Sequence, residues 1–328
     1  MTRLDAKLAS IQSGTYTRSD FIIADAKDGD MGPSIRSCGP KLELDGSFSR
    51  YRSRPEFLDQ VTAVVKQDIV DIMLLSASNL EVLAARGVFA GSRVQPAIRA
   101  NDATDIWGCR GAGYTQKPSR AYRTASLSVT RRHTDLGLYS ITFNNDLDAD
   151  YASLTGFLDF VADADKNGFR YFLEVFNPNV ETGIPPDVQP HYVNDCIIRT
   201  LAGLTRAQRP QFLKIPFNGP KALEELASFD PSLIVGVLGG GAGTARDTFE
   251  LIYQAEKYGA RLALFGRKIN LAEDPLEMVR LMRAVADGDI LPEEAVKAYH
   301  GALRSKGQRP LRVLDHDIVA TEKVLMNA

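Results

Sequence analysis

Eight short apolar runs, each followed by a stretch with helical spacing, constrain the fold of this chain more than any other feature. The runs cover residues 20–25, 70–75, 94–99, 138–143, 169–176, 212–217, 232–238 and 260–265. Between them, Pro55 opens a helix with Phe57, Leu58, Val61, Val64 and Val65 along one stripe. Further helices are expected over 79–86, 150–166, 193–204, 220–229 and 245–258, and Pro275 opens a closing helix carrying Leu276, Val279, Met282 and Val285. Strict alternation of strand and helix implies a parallel sheet with right-handed crossovers. Eight such units in 328 residues predict an α/β fold of the closed (β/α)8 barrel type. An open doubly wound sheet is the alternative, and it would more often carry its glycine-rich turn after the first strand. Here the glycine-rich turns come last, at 239–244 and 266–267. The expected organisation is a single barrel domain over 1–328, with an irregular insertion around 101–135 and a C-terminal helical extension around 290–328.

The insertion carries Arg110, Lys117, Arg120, Arg123, Arg131 and Arg132, opposed only by Asp105 and Asp135 and interrupted by Gly108, Gly111 and Gly113. Such a run suits a solvated loop or a subunit contact, and it could also meet a phosphate or an anionic partner. Over the whole chain 39 Lys and Arg stand against 41 Asp and Glu, a net charge of -2, which argues against a surface built for nucleic acid. The three cysteines, Cys38, Cys109 and Cys196, are too scattered for a disulfide framework or a zinc site, so a reducing, cytoplasmic setting is expected. The four histidines show no metal-ligand spacing, and neither a metal nor a cofactor is expected. The opening residues lack the apolar core of a secretory leader, and no apolar run approaches the ~18 residues needed to cross a bilayer, so no membrane association is expected.

Chemistry is suggested by the sixth run, in which Lys214 interrupts an apolar strand. Alternation puts Phe212, Lys214 and Pro216 on one face. If both faces of the strand are covered, burial disfavours an ammonium and favours the nucleophilic amine that a Schiff-base enzyme needs. The plain alternative is a strand-end lysine that snorkels to water. Two more ionisable residues stand near strand ends: Glu174, on the face of Phe172 and Phe176, and Asp25, on the face of Ile23. In a (β/α)8 barrel those ends carry the active site, and the loops after strands seven and eight commonly hold a phosphate. Gly239, Gly240 and Gly241 begin the first of these loops and Gly266 and Arg267 form the second. Glycine amides, a helix N-terminus and a guanidinium all favour an anion.

Taken together, the segments 23–25, 172–175, 212–216, 239–244 and 265–267 resemble, in order and spacing, the class I (Schiff-base) aldolases of the tagatose-bisphosphate, archaeal-type fructose-bisphosphate and deoxyribose-phosphate group. The resemblance covers residues 137–270 and is loose before them. It implies a (β/α)8 barrel in which Lys214 forms the imine, Glu174 is the acid/base and Asp25 orients the substrate. It also implies a phosphorylated sugar as substrate, a metal-free reaction and a homo-oligomer. Three positions differ from the tagatose-bisphosphate branch: Ser140 stands where that branch has a lysine, and Asn144 and Asn145 where it has tyrosines. The implied activity is that of an aldehyde-lyase making or breaking a C–C bond of a phosphorylated ketose. Thiolase-like acyl transfer or isomerisation by the same lysine, and a non-catalytic sugar-phosphate-binding barrel, are the other uses of such a scaffold.

Overall fold

The computed structural model describes residues 2–43, 45–102, 109–111, 113 and 116–326; Asp105 and Gly108 of the basic insertion lie outside them. Eight strands form one closed barrel: β1 (Ile22–Lys27), β2 (Ile72–Leu75), β3 (Gln95–Arg99), β4 (Leu136–Thr142), β5 (Arg170–Phe176), β6 (Leu213–Ile215), β7 (Val235–Leu238) and β8 (Leu262–Phe265). All pairings in the ring are parallel, and it closes where Ile22 of β1 lies opposite Leu262 of β8. Each strand corresponds to one of the eight apolar runs, and helices intervene, giving the (β/α)8 barrel that the alternation predicts. Among the described residues, no helix is long and apolar enough to cross a membrane.

Two apolar layers position everything else. The lumen is filled by Ile22, Ala24, Ile72, Leu74, Ala97, Leu138, Phe172, Phe212, Leu262 and Leu264, with the Phe172 and Phe212 rings stacked 4.6 Å apart. Leu4 and Leu8 belong to this cluster, so the helix Arg3–Gln12 closes the N-terminal end of the barrel. That helix was not legible beforehand, because it presents only a short i, i+4 pair of leucines. The outer layer, between strands and helices, takes the alternate residues: Ile23, Met73, Leu75, Tyr139, Leu173, Leu213 and Val237 among them. Burial of both strand faces is the rule for parallel sheets and explains why the runs are continuously apolar.

This layering corrects one expectation. Ile22 and Ala24 face the lumen, so alternation turns Asp25 outward with Ile23. Asp25 therefore does not join Lys214 and Glu174. It pairs instead with Lys27, Nζ to Oδ1 3.4 Å, and both side chains are fully buried in the barrel wall. A strand apolar on both sides carries no hydropathy signal for which side is which, and that is why the sequence misassigned Asp25. Lys27 also donates to Asn270 Oδ1 at 3.2 Å, and Asn270 Nδ2 donates to the Ser37 carbonyl. The pair thus ties β1 to the turn after β8. β1 itself runs to Lys27, two residues beyond the apolar run, paired with β2 through Lys27 opposite Leu75.

The wall makes two outcomes measurable. Burial pushes the Asp25 carboxyl up to about 6 against the opposing charge of Lys27. An unfolded aspartate releases its proton near 4, so the native state binds more protons between about pH 4 and 6, and this stabilisation is lost as pH rises through that window. Asp25→Asn should therefore gain on the parent by about 2–3 kcal/mol between pH 4 and 7. Urea midpoints across that range measure it, and a difference that stays flat contradicts it. At Gly236 on β7, a Cβ would lie 2.3 Å from Leu262 Cγ and 3.0 Å from the Leu213 carbonyl. Gly236→Ala should cost about 1–3 kcal/mol through overpacking, seen as a lower urea midpoint with an unchanged slope.

Candidate active site

The site is built from lumen-facing positions one step above the apolar plug. On β5 the lumen residue after Phe172 is Glu174, and on β6 the one after Phe212 is Lys214. The two strands are paired with Lys214 opposite Glu174, which brings Nζ within 2.6 Å of Oε1. Both side chains are buried. Burial pushes the Glu174 carboxyl up, with the Lys214 and Arg99 cations working against it and Asp28 adding to it. Glu174 Oε2 has no partner among the described residues, nor does Thr142 Oγ1 on β4. An amine beside a carboxylate whose second oxygen is unengaged can exchange protons with a third molecule in the lumen.

β3 and the residues after β1 complete the polar layer. Arg99 donates from Nη1 to Asp28 Oδ2 at 3.0 Å, from Nε to the Asn101 carbonyl at 2.9 Å and from Nη2 to Ser140 Oγ at 3.4 Å. Asp102 Oδ1 lies 3.7 Å from the same guanidinium. Asn101 clasps β4 by accepting from the Ser140 N–H at 2.7 Å and donating to the Ser140 carbonyl at 2.8 Å. Ser140 itself lies opposite Glu174 in the β4–β5 register. Asn144 and Asn145 hold loops in place. Asn144 Oδ1 accepts from the Asn179 N–H at 3.0 Å, and Asn145, at φ 55°, donates from its amide to Tyr192 Oη at 3.0 Å.

The two glycine turns lie after β7 and β8. Gly240 has φ 64°, and added Cβ atoms at Gly240 and Gly241 would meet nothing within 4 Å. Their amides donate no hydrogen bond among the described residues, which leaves them available to an anion. Gly239 packs against Phe265, where a Cβ would stand 3.0 Å from the ring, and Gly266 packs on β1, where a Cβ would stand 2.7 Å from the Ala26 carbonyl. Arg267 is exposed, and among the described residues its side chain has no ion pair or hydrogen bond. The helix Ala245–Lys257, by contrast, does not offer its N-terminus. The Ala245 N–H is taken by Asp317 Oδ1 at 2.9 Å and the Thr244 N–H by Asp247 Oδ2 at 2.8 Å. The C-terminal segment also brings Glu322 to buried Lys268, 2.7 Å apart, and the Thr321 N–H to Asp247 Oδ1 at 2.7 Å. The expected contribution of that helix end to anion binding is therefore replaced by carboxylate caps.

Of the residues singled out from the sequence, Lys214 and Glu174 are brought together, and Gly239, Gly240, Gly241, Gly266 and Arg267 occupy the turns after the seventh and eighth strands. Asp25 stands apart in the wall. Arg99 and Asp28 were overlooked. Arg99 ends the weakest of the eight runs, and only the lumen position of Ala97 two residues earlier marks its direction. Asp28 belongs to a Gly- and Asp-rich stretch that reads as a turn.

No protein-family model matches the sequence, and no curated protein does. Solved structures do match. An archaeal fructose 1,6-bisphosphate aldolase superposes with a TM-score of 0.63 at 15% identity, over 87% of this chain and 99% of that one. A structure of an archaeal fructose-1,6-bisphosphate aldolase with its catalytic lysine covalently bound to the carbinolamine intermediate of the substrate gives 0.63 at 14% identity, over 87% and 100%. A protein from Corynebacterium glutamicum (Brevibacterium flavum) gives 0.58 at 17% identity, over 87% and 94%. At these identities the likeness is one of fold, and the fold is the one on which archaeal Schiff-base aldolases are built.

Proposed function

We propose that this protein is a class I aldolase-like lyase that cleaves or forms a C–C bond of a phosphorylated ketose through an imine on Lys214. The observation that carries this reading is the buried Lys214–Glu174 contact of 2.6 Å at the C-terminal end of the lumen. The amine adds to the ketone carbonyl to give a carbinolamine, and loss of water gives an iminium. Glu174 takes the proton from the hydroxyl on the β-carbon. The bond between the α- and β-carbons breaks, its electron pair enters the iminium, and an aldehyde leaves an enamine behind. Protonation of the enamine and addition of water then release the ketone and restore Lys214. Among the fold neighbours, one holds its substrate as a carbinolamine on a lysine, which supports the first step.

The phosphate is assigned to the turns after β7 and β8, where the open amides of Gly240 and Gly241 and the guanidinium of Arg267 supply donors. Holding the phosphate there fixes the carbonyl against the amine, which is worth more to the rate than any single proton transfer. Asp25 has no part in this chemistry. Whether the chain works as a homo-oligomer in the cytoplasm, as composition and resemblance suggest, does not alter these steps.

Sodium borohydride added with a panel of phosphorylated ketoses, beginning with fructose 1,6-bisphosphate and dihydroxyacetone phosphate, should reduce the iminium and add the ligand's mass to the Lys214 peptide. Lys214→Met should lose both the adduct and turnover. An adduct on another lysine moves the nucleophile, and no adduct across the panel, with ligand still raising Tm, favours a binding barrel. Arg267→Ala should raise KM about tenfold with kcat changed less, since one charge-assisted contact is lost; an unchanged KM removes Arg267 from the phosphate site.

A further inference from the structure

The proposed chemistry uses Lys214 and Glu174 and assigns nothing to Arg99, Asp28 and Asp102, three other buried charged residues of the same layer. β4 brings no charge of its own to that layer. The residue it sets opposite Glu174 is Ser140, whose side chain is short and neutral. The space is taken from the neighbouring strand. Arg99 on β3 reaches across to Ser140 Oγ, 3.4 Å from Nη2, while Nη1 binds Asp28 at 3.0 Å and Nε binds the Asn101 carbonyl at 2.9 Å. Asn101 is in turn locked to the Ser140 backbone in both directions, so the guanidinium is held at its root and at its tip.

We infer that Arg99 is a positioning residue of this site, supplying from β3 the fixed positive charge that β4 does not bring and pairing with Asp28. The inference rests on the imine reading for its catalytic consequence, though not for its electrostatics. A lysine can give up its proton near neutral pH when buried, whereas a guanidinium does not. A guanidinium at this place keeps its charge and leaves proton traffic to Lys214 and the carboxylates. Glu174 touches Lys214 from β6 and lies opposite the neutral Ser140 of β4; the charges of Arg99 from β3 and Asp28 from the end of β1 also act on it, and Asp102 lies 3.7 Å from the Arg99 guanidinium. The two cations favour its ionised form and Asp28 opposes it. Arg99 thus acts twice, directly by its charge and indirectly by pairing with Asp28, whose charge works the other way.

The test is the titration of the Glu174 side chain, followed by the carboxyl 13C shift in glutamate-labelled protein and assigned with Glu174→Gln. In Arg99→Gln the midpoint should rise by about one pH unit, because an opposing charge is lost and Asp28 is left unpaired. Arg99→Lys restores the charge and should recover most of that rise. Asp28→Asn should move the midpoint the other way, downward. A midpoint that stays put in Arg99→Gln, or an Arg99→Lys protein as far displaced as Arg99→Gln, overturns the inference. If Arg99→Gln has no cooperative unfolding transition, Asp28→Asn decides: a downward shift supports the inference and an unmoved midpoint overturns it. Borohydride trapping with dihydroxyacetone phosphate, run on the same wild-type sample, separates the two readings. Failure to trap there, with the shifts present, removes the imine and leaves the role of Arg99 standing.

Discussion

Lys214 and Glu174 face one another where the barrel excludes water, and most of the architecture is what makes that contact tolerable. Removing an ammonium and a carboxylate from water costs several kcal/mol per ion, which their attraction offsets only at close range and in good geometry. The closed ring supplies that geometry through the register of β5 and β6, which sets Lys214 opposite Glu174 without any loop having to order itself. Beneath the pair, the stacked rings of Phe172 and Phe212 fill the lumen and keep the layer from collapsing inward. Beside it, Arg99, Asn101 and Ser140 form a hydrogen-bonded rim that belongs to the strands rather than to the loops. Lys214 and Glu174 thus stand on barrel strands rather than on loops.

Charge in this layer is arranged in opposed pairs at different depths. Lys214 meets Glu174 and Arg99 meets Asp28 in the lumen, while Lys27 meets Asp25 on the far side of the same wall. Among the described residues, the first pair leaves a carboxylate oxygen of the lumen without a hydrogen bond, at Glu174 Oε2. The wall pair has a structural part, since Lys27 reaches Asn270 and so fixes the turn that carries Arg267. Two lysines with similar burial therefore do different things, and the difference is the strand face on which each stands.

The number and order of strands were legible because parallel strands covered on both sides read as unbroken apolar runs, and eight of these stood out. The same property hid the facing of each strand. At β5 and β6 the phenylalanines two residues before Glu174 and Lys214 lie in the lumen, so alternation faces both ionisable groups inward; at β1 the isoleucine two residues before Asp25 lies in the outer layer, so alternation faces Asp25 outward. Pro96 and Gln95 dilute the apolar character of the strand that ends at Arg99, so no hydropathy pattern singles that residue out. The carboxylate caps on the helix Ala245–Lys257 come from Asp247 within the helix and from Asp317, and no local pattern announces a contact across 72 residues.

The ring closes between β1 and β8, and Lys27 reaches Asn270 across 243 residues of sequence. Contacts of such separation carry a loop-closure entropy that contacts between neighbouring elements do not. Gly266 presses on the Ala26 carbonyl at the same seam. The turn that presents Arg267 closes on its own backbone, with the Asn270 N–H donating to the Gly266 carbonyl at 2.8 Å, but its anchorage to the barrel comes from β1. A change that loosens the seam between the first strand and the last therefore also displaces the guanidinium at the mouth of the barrel.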